Sequence, residues 1–134
     1  MFQQDLELAH AVELAAIPHL ERFTPSRAWP NPDFDIYDCD LWWQWNTHDH
    51  PAGVEVKYDR LAETTGNIAV EHRSIGKSTC DFAVYHFKGT FWLIAMADLT
   101  SMIGRYPVKE GEDFNYKLAL VPEREFVRQA FYRK

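Results

Sequence analysis

Cysteine is scarce in this chain, since Cys39 and Cys80 are the only two among 134 residues. They form no Cys-x-x-Cys unit and cannot build the disulfide framework that staples many small secreted folds. A long apolar run is also missing, because no window approaches the roughly 20 residues that a membrane-spanning helix needs. The first residues contain neither the basic nor the apolar stretch of a signal peptide. We therefore expect a cytoplasmic protein without a membrane segment.

An excess of basic residues is absent as well. The chain has 14 Lys and Arg against 20 Asp and Glu, a net charge of −6, which counts against a generic nucleic-acid binder. The acidity is uneven: residues 1–50 hold two arginines against nine acids, and residues 51–134 hold twelve basic residues against eleven acids. Cations bound in the acidic segment would cancel part of this charge. The candidates for a local basic patch are Arg124, Arg128, Arg133 and Lys134.

Apolar periodicity and turn residues predict one α/β domain with a small sheet and flanking helices. A first helix is predicted over residues 4–17, ended by Pro18, and an irregular connection over residues 24–33. A last helix is predicted from Pro122 to Tyr132, after one that Asp98 caps over residues 99–105. Strands are predicted at residues 34–45, 54–58, 68–71, 82–87, 90–96 and 118–121, with a tight turn at Lys88-Gly89.

The most informative motif is Glu55-Val56-Lys57, inside the apolar run of residues 53–58. On a strand, Glu55 and Lys57 share one face and Val56 points to the other. A hairpin with the preceding aspartate-rich strand would bring a second carboxylate beside Glu55. Two carboxylates suit Mg²⁺ or Mn²⁺, and an adjacent lysine can orient water and balance phosphate charge. The pattern therefore indicates metal-dependent phosphodiester hydrolysis, whereas the simpler interpretation is a surface ion pair between Glu55 and Lys57.

The order of these motifs resembles the PD-(D/E)XK nuclease superfamily, especially Holliday-junction resolvases and small phage-type endonucleases. The resemblance covers about residues 5–98. It rests on the aspartate-bearing strand at residues 32–36, on Glu55-Val56-Lys57, and on Asp59 with the segment at residues 65–71. It implies a restriction-endonuclease-like fold, a mixed central β-sheet flanked by helices, formed by residues 1–134 as one domain.

The resemblance also implies site residues. Asp35, Glu55 and Lys57 are the expected catalytic set, with Asp35 and Glu55 as metal ligands and the Val56 carbonyl as a further one. Glu13 matches the helix-borne acid that some members place near the metal, and Glu7 is its alternative. Several aspartates compete with Asp35 for the same role, of which Asp40 is the next candidate: Asp33, Asp38 and Asp40.

The resemblance further implies that four polar residues contact the substrate: Thr65, Asn67, Lys77 and Ser78. The alternative for Thr65-Gly66-Asn67 is a structural turn, in which Gly66 takes positive φ. A capped loop is the alternative for Lys77 and Ser78. Glu71 is either an exposed strand residue or a carboxylate near the metal.

The function implied is a structure-selective DNA endonuclease that acts as a homodimer on branched or junction DNA with Mg²⁺ or Mn²⁺. The alternative is a noncatalytic acidic adaptor on the same fold, which would present its charge to a basic partner. The spacing of His48, His50, Cys39 and Cys80 matches no zinc-ligand pattern. Alternation places Trp43 and Trp45 on one strand face and Trp42 on the other, so part of this cluster is expected in the core and the rest at a base, sugar or dimer contact.

Overall fold

The computed structural model describes residues 2–32, 39–59, 62–71, 80–106, 108–110, 117–130 and 132–133. Its helices are α1 (Phe2–Phe23), α2 (Ala62–Thr65), α3 (Met96–Ile103) and α4 (Glu123–Gln129). Its strands are β1 (Ser26–Pro30), β2 (Leu41–Trp45), β3 (Ala52–Tyr58), β4 (Asn67–Glu71), β5 (Phe82–Phe87), β6 (Thr90–Ala95), β7 (Val108–Glu110), β8 (Lys117–Pro122) and β9 (Tyr132–Arg133).

Helix α1 continues through Pro18, so the prediction that it ends at residue 17 is wrong. Proline removes one helical hydrogen bond and crowds the preceding turn. The turn beyond it carries Leu20, which is only 1% exposed, and Phe23, which packs against the same core cluster. Burial of these two side chains offsets the local cost of the proline, and Pro18 itself faces solvent.

The first strand lies where an irregular connection was predicted. Despite its prolines, residues 26–30 form β1, which pairs antiparallel with β2 from Ser26 opposite Trp45 to Pro30 opposite Leu41. Pro30 is tolerated because β1 is the edge strand. Glu21 of α1 accepts a hydrogen bond of 3.0 Å from the Ala28 N–H. The strand predicted over residues 34–45 is observed as β2 alone, since residues 33–38 lie outside the described residues.

The larger sheet has the order β1-β2-β3-β5-β6-β9. The predicted hairpin of β2 and β3 is confirmed, with Leu41 opposite Val54. Strands β3 and β5 are parallel, and the neighbouring pairs are antiparallel. The predicted tight turn between β5 and β6 is also confirmed, with positive φ at Lys88 and Gly89.

A second sheet, β4-β8-β7, packs on the opposite side of the larger sheet from α1. On the α1 side, Val12, Ala16 and Leu20 cover Leu41, Trp43 and Val54. On the other side the core joins both sheets, α3 and α4, and includes Ile68, Val70, Tyr85, Phe87, Leu99, Val121 and Phe126. The observed architecture is therefore a mixed α/β fold whose central sheet is covered on both faces, which confirms the predicted fold class.

The last helices differ from the prediction at their ends. Helix α3 begins at Met96, so Asp98 lies in its first turn and the cap position belongs to Ala95. Strand β6 runs directly into this helix, which leaves no room for the predicted cap. Helix α4 ends at Gln129, because the chain then pairs with β6 as β9. No helix among the described residues is long and apolar enough to cross a membrane.

Candidate active site

Strand β3 carries Glu55 and Lys57 on one face, as the alternation of a strand requires. The Lys57 ammonium lies 3.2 Å from a carboxylate oxygen of Glu55, and the two side chains are 33% and 14% exposed. Both side chains are therefore largely buried, and the Lys57 side chain keeps partial access to solvent. The predicted juxtaposition of an acid and a lysine is present.

Asp40 lies at the start of β2 and joins this pair through the backbone. Its Oδ2 accepts a hydrogen bond of 2.7 Å from the N–H of Val56, the residue between Glu55 and Lys57. Its own N–H donates to the Val54 carbonyl at 3.0 Å. These two bonds fix both the main chain and the carboxylate of Asp40 against β3. Among the described aspartates, Asp40 is thus the one beside the Glu55-Val56-Lys57 motif.

Burial raises the pKa of the Asp40 carboxyl from 3.8 to about 6. The hydrogen bond from Val56 opposes this shift, the charge of Glu13 adds to it, and the charge of Lys57 also opposes it. Glu13 therefore lies close enough to Asp40 for its carboxylate to raise the Asp40 pKa.

Glu13 reaches this point from α1, where one side of the helix faces β3. The Nδ1 atom of His10, one turn earlier, lies 3.6 Å from the Oε2 atom of Glu13, and the His10 side chain is 65% exposed. The alternative acid, Glu7, is exposed two turns before Glu13 on the same helix. The structure therefore brings Glu13 to Asp40 from the α1 side of the sheet.

Three residues that the motif analysis overlooked hold Asp40 in place. The amide of buried Asn31 donates a hydrogen bond of 2.9 Å to the Cys39 carbonyl, and its N–H donates to the Asp40 carbonyl at 3.0 Å. Cys39 is fully buried against Gly53 of β3, where any Cβ would overlap the Cys39 sulfur. A glycine within a strand signals close approach of another group, so the sequence itself pointed to Gly53.

In the segment after β3, side chains accept hydrogen bonds from backbone N–H groups. Asp59 accepts hydrogen bonds from the N–H groups of Ala62, at 3.0 Å, and Ala69, at 2.9 Å, and so ties α2 to β4. The Thr65 hydroxyl accepts a bond of 3.2 Å from the Asn67 N–H across Gly66, whose φ is +72°. The turn expected for residues 65–67 is therefore present, and a substrate contact by Thr65 and Asn67 stays a prediction.

Several predicted site residues lie outside the described residues: Asp33, Asp35, Asp38, Lys77 and Ser78. Their roles stay predictions. The backbone of Glu71 ends β4, and its side chain belongs to the part of the chain not described.

The histidines and cysteines do not converge. Cys39 and Cys80 are buried in the core as thiols, whereas His48 and His50 are exposed at the other end of β2. There they line a cleft of about 320 Å³ with Trp43 and Trp45. As predicted, part of the tryptophan cluster is core: Trp43 is fully buried, and its indole N–H donates to the Ser26 hydroxyl at 2.8 Å.

The donor set around Asp40 suits a hard divalent cation in its chemistry. Asp40, Glu13 and Glu55 supply carboxylate oxygens, the ligands that Mg²⁺ and Mn²⁺ prefer. Within the described ranges, no three acidic, histidine or cysteine side chains converge closely enough to hold a metal ion in this conformation. The ion pair of Glu55 with Lys57 already neutralises part of the charge that a cation would otherwise balance.

Comparison with known proteins gives one informative similarity. No family model matches the chain, and no curated protein matches it. Among solved structures, the chain is similar to a bacterial homing endonuclease, I-Ssp6803I, with a TM-score of 0.54 and 20% sequence identity over 84% of this chain and 72% of that chain. At this identity the similarity concerns the fold. The chain thus shares a mixed α/β fold with that endonuclease, and it carries the Asp40, Glu55 and Lys57 cluster on its central sheet.

Proposed function

We propose that the protein is a metal-dependent DNA endonuclease of the PD-(D/E)XK type. The observation that carries this proposal is the hydrogen bond from the Val56 N–H to Asp40, which joins a second carboxylate to the Glu55-Val56-Lys57 motif. The fold shared with a homing endonuclease supports a nucleic-acid substrate. Fold alone does not determine function, whereas the cluster of Asp40, Glu55 and Lys57 has the side chains that metal-dependent hydrolysis uses.

In this proposal the acidic side chains bind the metal, and Lys57 acts on the water and the phosphate. Asp40 and Glu55 are the proposed metal ligands, with Glu13 on the outer side, and Asp35 remains a further predicted ligand. A bound Mg²⁺ or Mn²⁺ would supply Lewis-acid stabilisation of the charge that develops on the phosphate. Metal binding requires an ionised Asp40 carboxylate, so it competes with the proton that the raised pKa of Asp40 favours.

Lys57 is the proposed group for water and phosphate. Its side chain is 33% exposed, more than that of Glu55, so its ammonium can orient the attacking water and balance the negative phosphate. The water oxygen forms a bond to phosphorus and loses one proton to solvent, the bond from phosphorus to the sugar oxygen breaks, and the leaving oxygen takes one proton from solvent. Glu55 holds the lysine in position before substrate binds.

The test compares cleavage of labelled four-way junction, flap, linear duplex and single-stranded DNA in Mg²⁺, Mn²⁺ or EDTA. We expect metal-dependent cleavage that Glu55→Gln and Lys57→Ala each reduce by at least about 100-fold. Matched controls are Glu125→Gln, an acid that pairs with Arg128 at 3.4 Å on α4, and Lys88→Ala, a lysine that pairs with Glu123 at 2.8 Å. Unchanged cleavage in both β3 variants would refute the proposed site.

The same assay tests the finer predictions. Preferential cleavage of the four-way junction would support a resolvase, and sedimentation as a dimer on that DNA would support the homodimer that symmetric strand cutting requires. Failure of the wild type to cut any substrate in either metal would favour the noncatalytic acidic adaptor instead.

A further inference from the structure

Strands β1 and β2 form the antiparallel edge of the larger sheet, at residues 26–30 and 41–45. Past Trp43, where the pairing of β2 with β3 ends, they continue as a two-stranded ribbon that carries Arg27 and Gln44. One face of this β1-β2 ribbon packs toward α1 through Ala28 and Trp43. Alternation places Arg27 and Trp29 of β1 on the opposite face. Their partners in register are Gln44 and Trp42, respectively.

That face continues into the candidate active site. Trp42 lies opposite Gly53, and directly opposed residues of an antiparallel pair point to the same side of a sheet. The next residues of β3 on that side are Glu55 and Lys57. The ribbon and the motif therefore share one sheet face, and DNA bound at Lys57 would extend over the ribbon.

The polar pair of the ribbon has unused hydrogen-bonding capacity. The Arg27 side chain is exposed and makes no ion pair or hydrogen bond within the described part of the chain. Gln44 donates 3.1 Å to the His48 carbonyl, which fixes its amide and leaves the amide oxygen available as an acceptor. Around them is an open cleft of about 390 Å³, lined by Arg27, Trp29, Gln44, Trp45, Asn46 and His48.

We propose that the β1-β2 ribbon reads base edges in the DNA major groove through Arg27 and Gln44. The major groove admits a two-stranded ribbon, and guanidinium and amide groups are the side chains that pair with guanine and adenine edges. In an acidic chain, an unpaired arginine beside a fixed amide supplies the local complementarity that the net charge lacks. This inference rests on the proposed endonuclease function and adds a sequence preference to it.

The strand geometry sets where the contacts fall. Gln44 is four residues from Asp40 along the chain, a span of about 13 Å at strand spacing. Base pairs in B-DNA are about 3.4 Å apart, so this span corresponds to about four base pairs. The bases read by Arg27 and Gln44 should therefore lie about three to five pairs from the cleaved phosphate.

The experiment selects bound duplexes from a library with a randomised segment, using full-length protein in Ca²⁺ to suppress cleavage. We expect the wild type to enrich a common sequence, and Arg27→Ala and Gln44→Ala each to weaken discrimination at one or two positions by between about fivefold and 150-fold. Arg105→Ala, which removes an exposed arginine after α3, is the matched control and should enrich the wild-type sequence. Thermal melts of each variant verify folding.

Two results would overturn the ribbon as a base reader: no enrichment by the wild type, or the same enriched sequence and affinity in both ribbon variants. Missing-base interference on the selected duplex, which identifies the bases that binding requires, gives a second measurement. Required bases more than about six pairs from the cut would contradict the geometry. Metal-dependent cleavage that Glu55→Gln abolishes would preserve the endonuclease in each case. No binding or cleavage of any DNA would refute both proposals.

Discussion

The Val56 N–H donates a hydrogen bond of 2.7 Å to the Asp40 carboxylate, although the two residues are 16 positions apart in sequence. Strand β2 begins at Leu41, one residue after Asp40, so the Val56 N–H is left for the aspartate side chain rather than for a backbone partner on β2. The end of one strand thereby places a carboxylate between the two functional residues of its neighbour.

Burial of Asp40 makes folding depend on pH. Its pKa rises from 3.8 to about 6 on folding, so between these values the folded state binds more protons than the unfolded state. The stability from this group is fully present below pH 4 and is lost as pH rises through 6, by on the order of 2 to 3 kcal/mol. We expect urea titrations at pH 4 and pH 7 to show this loss in the wild type relative to Asp40→Asn.

The control for this titration is Asp49→Asn, which removes an exposed acid near the β2–β3 turn. The stability of this variant should follow that of the wild type across the same pH range. A constant difference between wild type and Asp40→Asn from pH 4 to pH 7 would contradict the raised pKa.

Gly53 is predicted to tolerate no side chain. A Cβ at this position would overlap the sulfur of buried Cys39 and approach the Cys80 backbone, and overpacking of this kind costs about 1–3 kcal/mol. Because Cys39 precedes Asp40, Gly53→Ala should also reduce metal-dependent cleavage. The control is Gly104→Ala, where a Cβ meets nothing within 4 Å and the change should leave both unfolding and cleavage nearly unaltered.

Adding Cys39→Ala to Gly53→Ala removes the overlapping sulfur. The double variant should be destabilised by less than the sum of the two single variants, which a double-mutant cycle by chemical denaturation measures. Strict additivity would show that the two side chains do not meet.

The sequence predicted the parts of this site that depend on local periodicity. Glu55 and Lys57 share a face because a strand alternates, and the β2–β3 hairpin follows from the turn residues between them. That Asp40 lies beside the motif depends on where β2 begins, which is a property of pairing and not of composition. Strand β1 was missed because Pro25, Pro30 and Pro32 obscure a strand that is stabilised by its pairing with β2.

Asn31 shows why positioning residues escape motif analysis. Its role depends on two carbonyls, those of Cys39 and Asp40, that the fold brings to it from eight and nine residues away. Asn31→Ala leaves the buried Cys39 carbonyl without this donor, and we expect a loss of about 1–3 kcal/mol in the free energy of unfolding. The comparison variant, Asn46→Ala, changes an exposed side chain and should cost less than about 0.5 kcal/mol. Equal losses in the two variants would refute the assignment.

Metal binding offers a test that requires no DNA. If Asp40, Glu55 and Glu13 hold a divalent cation, Mn²⁺ stabilises the folded state in proportion to its occupancy, and a concentration 100 times the dissociation constant adds about 2.7 kcal/mol. We expect the melting temperature to rise with Mn²⁺ in the wild type and in Glu125→Gln, and to stay constant in Asp40→Asn and Glu55→Gln. The rise should be larger at pH 7.5 than at pH 5.5, because Mn²⁺ competes with the proton that Asp40 binds with a pKa of about 6. A rise of equal size in all four proteins would place the bound cation elsewhere on the acidic surface.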